Sequence, residues 1–166
     1  MTNPKRRRLY LIVPRFKYKH YAAQQELCDL VGVKKMTIPV QLPLVAALTP
    51  DTWDVRIIDD EYQPLAFSPL PDLVGVTTIA ATVRRVYEIA DAYRSRGVPV
   101  VMGGPLASFA PEAVLAHADH VIVGEAEGSW QRFLEEFESG RAGKVYRSEA
   151  PFDISRPLAG LRPVRS

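Results

Sequence analysis

Five short, almost uninterrupted apolar runs, rich in Val and Ile and each bounded by Pro, Gly or Asp, narrow the folds open to this chain. They are Arg8–Val13, Val55–Asp59, Leu73–Thr77, Val98–Met102 and His120–Val123. A strand with one wet face alternates apolar and polar residues, whereas a strand buried on both faces need not. Most of the five are too continuously apolar for one-sided burial, and helical patterns lie between most of them. The alternation predicts a doubly wound α/β domain: a five-stranded parallel sheet with helices on both faces.

The clearest helical pattern is Ala81–Arg96, where Val83, Val86, Ala90 and Tyr93 share one face and Arg84, Glu88 and Asp91 lie toward water. Gly97 and Pro99 stop it. A second helix is expected over Ser129–Ser139, with Trp130, Phe133, Leu134 and Phe137 spaced for a core face. Shorter helices are expected at Gln41–Leu48 and Pro111–Ala116, where Pro43 and Pro111 suit a first turn. The connection Phe16–Pro39 is long for a strand-to-helix link, and long links in compact domains are commonly functional. Residues 149–166, with three prolines and little periodicity, read as a linker, so the domain is expected over 1–148.

A chain of 166 residues, 47% hydrophobic, suits one domain that buries roughly 70% of its unfolded surface. The net charge of +2 owes much to Lys5, Arg6, Arg7 and Arg8, which read as a solvated tail and not as a nucleic-acid or membrane footprint. Leu9–Val13 is shorter than a secretory signal core, and no run is long enough to span a bilayer. Cys28 is the single cysteine and reads as a small buried side chain; it excludes an internal disulfide and any cysteine-ligated cluster built from this chain alone. A cytoplasmic location is the expectation.

In an open parallel sheet, ligands bind outside the carboxyl ends of the strands, where the strand order reverses. The third run ends in Thr77, Thr78 and Ile79, the fourth in Gly103, Gly104 and Pro105, and the fifth in Gly124, Glu125 and Glu127. Paired glycines after a buried strand remove two side chains and permit positive φ, so a flat ligand can lie against the backbone there. An ordinary tight turn would use the same residues, and Glu125 and Glu127 have a structural use beside the helix that follows. His117 and His120 read as structural. No Walker sequence, Gly-x-Gly-x-x-Gly turn or metal-ligand spacing is present, which disfavours nucleotidase and dinucleotide dehydrogenase chemistry.

Taken in order, Asp72-Leu-Val-Gly-Val-Thr-Thr78, Tyr87-Glu-Ile-Ala90, Gly97-Val-Pro-Val-Val-Met-Gly-Gly-Pro105 and Ala118-Asp-His-Val-Ile-Val-Gly-Glu-Ala-Glu-Gly128 resemble the N-terminal cobalamin-binding domain of cobalamin-dependent radical S-adenosylmethionine (SAM) enzymes. Leu42–Leu48 followed by Trp53–Asp59 is similar as well, so the resemblance covers nearly the whole chain. It implies a flavodoxin-like sheet of order 2-1-3-4-5, with cobalamin on its carboxyl edge and the nucleotide tail entering between strands. It further implies cofactor contacts by Thr77, Thr78, Ile79, Gly103, Gly104 and Pro105, by Gly124, Glu125 and Glu127, and by Phe16 and Tyr18 in the first loop.

Two departures shape what carries over. Mutase-type cobalamin domains have Asp-x-His-x-x-Gly after the first strand, and here the stretch is Arg15-Phe-Lys-Tyr-Lys-His20. His20 is therefore a secondary candidate for cobalt, and no metal ligand is assigned. The Cys-x-x-x-Cys-x-x-Cys that holds a [4Fe-4S] cluster is absent, so this chain binds neither cluster nor SAM by itself, and no catalytic residue is assigned. The expected partner is a C-terminal radical SAM barrel in cis, and the expected role is to present cobalamin for methyl transfer to a substrate radical. The alternatives on the same fold are a flavin or nucleotide binder and a partner-docking module without cobalamin. A flavin phosphate site prefers small polar residues after the first strand, and a phospho-receiver needs carboxylates there and an Asp after the third; Pro14, Arg15 and Thr77 stand in those places.

Overall fold

The computed structural model describes residues 6–16 and 41–148. The strands are β1 (Arg7–Val13), β2 (Trp53–Asp59), β3 (Leu73–Thr77), β4 (Val100–Gly103), β5 (His120–Val123) and β6 (Val145–Arg147). All neighbours pair in parallel, in the order β2-β1-β3-β4-β5-β6. The helices are α1 (Gln41–Leu48), α2 (Val83–Arg94), α3 (Pro105–Phe109), α4 (Pro111–Leu115) and α5 (Trp130–Glu138). The connection after β1, with Tyr18, His20 and Cys28, and residues 149–166 lie outside the described residues.

The flavodoxin-like order holds, with one correction: the sheet has six strands, not five. β6 escaped the sequence reading because three residues with an exposed, buried, exposed pattern carry almost no periodic signal. Tertiary contacts recruit it. Tyr146 packs edge-on against Phe133 of α5, and its hydroxyl donates to Glu136 Oε2 while accepting from the Gly143 amide.

Side chains of the central strands divide between two cores. Tyr10, Ile12, Val74, Val76, Val100 and Met102 face α2, α3 and α4, whereas Leu9, Leu11, Leu73, Val101 and Ile122 face α1 and α5. Each fully buried Leu, Ile or Val stabilises the fold by roughly 1.5–3 kcal/mol relative to exposure, which is why β1 and β3 read as continuous apolar runs. On α2 the buried face is Val86, Ile89, Ala90 and Tyr93; Ile89 takes the place expected for Val83. The helix ends where Gly97 turns at φ +75°, its amide bonded to Arg94 O and that of Val98 to Tyr93 O.

No helix covers the crossover from β2 to β3. Leu65, Ala66 and Phe67 pack on the α2 face in its place. The hydroxyls of Tyr10 and Tyr93 fasten this segment, donating to the carbonyls of Pro69 and Ala66, each at 2.9 Å. Burial, with a smaller contribution from neighbouring Tyr10, pushes the Tyr93 phenol up to about 12.

Candidate functional site

On the face shared by α1 and α5, these two helices leave the middle of the sheet uncovered among the described residues. A cavity of about 400 Å³ occupies that gap and opens at the carboxyl edge. It spans the point where the strand order reverses, between β1 and β3. Leu11, Gly75 and Val101 sit side by side in register across its floor. Leu42 and Val45 of α1 and Trp130 of α5 form the flanking walls. Gly75 leaves room for its neighbour on the floor: a Cβ there would stand 2.7 Å from Leu11 Cδ2.

The rim is made by the strand ends. Thr77, Gly103, Gly104, Pro105, Gly124, Glu125 and Glu127, seven of the residues expected from sequence, line the cavity. Thr78 does not, because its buried side chain points the other way. Its hydroxyl donates to Gly103 O at 2.8 Å and accepts from the Ala107 amide at 3.0 Å, tying the end of β3 to the turn that starts α3. Ile79 and Phe16 are likewise outside the lining, and Tyr18 and His20 fall among the undescribed residues.

Gly104 needs to be glycine. Its φ is +100°, and a Cβ would stand 2.9 Å from both Thr77 Oγ1 and Thr78 O. Gly124 has φ +79° with open space around it, and its amide donates to Ser108 Oγ at 2.8 Å. Ser108 Oγ in turn donates to Gly104 O at 3.0 Å, so one hydroxyl joins two glycine turns of the rim. The sequence reading missed Ser108, since it missed α3; Pro105 directly after Gly104 is the signal that could have placed a helix there.

Leu11, Leu42, Val45, Gly75, Val101 and Trp130 were also not foreseen as site residues. They read as core, and they are core; the cavity is a place where the core stops short. The two described histidines serve the scaffold. His117 stacks on Tyr87 and bonds Asp91, and His120 bonds Gly143 O. Outside the lining, Asp60 is a buried carboxylate held by two 2.7 Å bonds from Arg85 and by the Arg15 amide at 3.2 Å. The bond to Asp60 holds the Arg85 guanidinium still further above its ordinary range. Among the described residues, no cluster of His, Cys, Asp and Glu is arranged to hold a metal, and no helix is long and apolar enough to cross a membrane.

The sequence that builds this apolar slot and its glycine-rich rim is similar to that of a known family. Residues 26–134 match the model of the B12 binding domain. The chain belongs to the B12-binding domain family. This B12-binding domain is 34% identical over 117 residues to bacteriochlorophyllide d C-8(2)-methyltransferase of Chlorobaculum tepidum, covering 70% of this chain and 26% of that protein. It is 27% identical over 122 residues to the C-12(1)-methyltransferase of the same organism, covering 72% and 26%. An uncharacterized methyltransferase of Pyrococcus horikoshii is 30% identical over 116 residues, covering 62% of this chain and 25% of that one. The chain thus spans about a quarter of the length of these relatives.

Proposed function

We propose that this B12-binding domain holds cobalamin across the carboxyl edge of its sheet, with the nucleotide tail in the slot, and presents the cofactor to a C-terminal radical SAM domain of the same polypeptide. The observation that carries the reading is the slot itself: it lies where the strand order reverses, and its described walls are apolar where a ligand tail would be buried. The rim supplies what a corrin with many amides needs, namely backbone that can be approached closely at Gly103 and Gly104 and polar groups at Thr77, Glu125 and Glu127.

Cobalamin, when bound, supplies a cobalt that carries a methyl group. The chain's own part is to bind and orient it and to exclude water from the tail. Residues 1–148 form the module, and residues 149–166 lead toward the barrel that holds the [4Fe-4S] cluster and SAM. Three relatives are named methyltransferases, which supports methyl transfer as the reaction of the whole polypeptide.

The test uses purified protein and hydroxocobalamin. The expected result is retention through gel filtration, with a spectrum showing no histidine as lower ligand and unchanged in His20→Ala. Absence of retained cobalamin in demonstrably folded protein would overturn the binding claim, and loss of the spectrum in His20→Ala would overturn the assignment of the lower face. A Cys-x-x-x-Cys-x-x-Cys segment after residue 166 in the same polypeptide is the expected companion, and its absence there would overturn the radical SAM partnership.

A further inference from the structure

The slot differs from its rim in one chemical respect. Among the described residues, every polar side chain of the lining, Gln41, Thr77, Ser108, Glu125 and Glu127, comes from the carboxyl edge: the last residue of β3, the start of α1, α3, or the turn after β5. Deeper down, the walls are Leu11, Leu42, Val45, Val101, Ile122 and the ring of Trp130. The one polar atom among those side chains, Trp130 Nε1, donates to Thr49 Oγ1 at 3.0 Å. That hydroxyl donates onward to Val45 O at 2.7 Å. Floor strands β1, β3 and β4 are paired with parallel neighbours on both edges, so their backbone groups are engaged in the ladder.

Resting on the cobalamin reading, we propose that this slot selects among cobamides by the base of the nucleotide tail, accepting dimethylbenzimidazole and discriminating against a purine. A dimethylbenzimidazole gains from burying its methyl groups and fused ring against carbon walls. Adenine of similar size brings an exocyclic amine and extra ring nitrogens that are hydrogen-bonded in water and find no partner on these walls. A buried polar group without a partner loses its hydration uncompensated. Val101, at the centre of the floor beside Gly75, is the specificity-determining side chain.

The test is an absorbance titration of this chain with cobalamin, with its adenine-based analogue, and with cobinamide, which lacks the nucleotide, the fold being checked by circular dichroism. The adenine form is expected to bind roughly ten-fold or more weakly than cobalamin, and cobinamide also more weakly. Val101→Thr keeps the shape of the side chain and adds a hydroxyl to the wall, so it is expected to narrow the cobalamin-to-adenine ratio by roughly five-fold; Val101→Ala, which adds no polar atom, is expected to leave the adenine form the weaker one. Equal affinity for the two bases would overturn the selectivity and leave the cobalamin reading standing. Cobinamide bound as tightly as cobalamin would place the tail outside the slot and overturn it too. Folded protein that binds none of the three would overturn the cobalamin reading itself. An unaltered ratio in folded Val101→Thr would overturn the role given to Val101; should that variant not fold, the ratio in the unmodified chain still decides the selectivity.

Discussion

Leu11 and Gly75 are register partners on β1 and β3, and the Leu11 Cδ2 methyl stands 2.7 Å from where a Gly75 side chain would begin. The methyl leans over the glycine, so one residue's missing side chain is bounded by its neighbour's longest branch. A larger residue at 75 must displace Leu11 or fill the cavity. Gly75→Val is expected to weaken cobalamin binding roughly ten-fold or more while the domain remains folded, and Leu11→Ala in the same background is expected to recover part of the loss. Corrinoid titrations of the two variants check this; unchanged affinity in Gly75→Val would show that the tail does not use the slot.

Thr77 and Thr78 are adjacent and chemically alike, yet their hydroxyls have opposite duties. Thr78→Val takes the hydroxyl acceptor from the buried Ala107 amide and leaves Gly103 O with only the Thr78 amide, and it is expected to destabilise the domain by about 1–3 kcal/mol. Thr77→Val removes a hydroxyl at the cavity rim and is expected to change stability by less than about 0.5 kcal/mol while weakening cofactor binding. Urea unfolding of both variants, paired with cobalamin titration, separates the two roles.

Arg85 of α2 grips Asp60 with two 2.7 Å bonds, and Asp60 also receives the Arg15 amide. Asp60→Ala leaves a partly buried guanidinium without its main partner and is expected to cost about 2–3 kcal/mol. Arg85→Ala leaves the carboxylate buried and is expected to cost at least as much. Exposed Glu88, the second partner of Arg85, is expected to matter little: Glu88→Ala should cost below about 0.5 kcal/mol by chemical denaturation.

Tyr93 gives an alkaline signature. Its phenol ionises near its ordinary value of 10 in the unfolded chain but only at about 12 in the folded one. The contribution is fully present below pH 10 and is lost as pH rises through 12, because the unfolded state gives up its proton first. Tyr146 is shifted the same way, by burial and then by its bond to Glu136. Stability is expected to fall across pH 10–12 by on the order of 2 kcal/mol. Tyr93→Phe is expected to flatten that fall only in part, as followed by thermal unfolding at a series of pH values.

Among the described residues, the sheet and helices bury two hydrophobic cores with protein side chains alone, save for the slot. Cofactor-free protein is therefore expected to unfold cooperatively on heating. Strong dye binding together with loss of near-ultraviolet circular dichroism in the cofactor-free state would contradict this.

Much of this molecule was legible in the chain itself. Burial on two faces leaves the central strands β1, β3 and β4 few polar positions, so they stand out in the chain, and the strand ends point to Thr77, Gly103, Gly104 and Gly124. Helix faces were equally plain, because Trp130, Phe133 and Leu134 repeat at the period of a buried stripe. Local pattern could not report what depends on neighbours distant in sequence. β6 exists because Tyr146 finds Phe133 and Glu136, and Ser108 matters because Gly124 comes to it across the rim. Two consecutive threonines look the same until a pleat sends one to the cavity and the other into the scaffold. Gly103 and Gly104 look alike until only Gly104 takes a positive φ. The cavity was the least legible feature, since its walls are ordinary core residues. Composition and periodicity say that Leu11, Val101 and Trp130 are buried; only the placement of α1 and α5 over the sheet decides that they are buried around a gap.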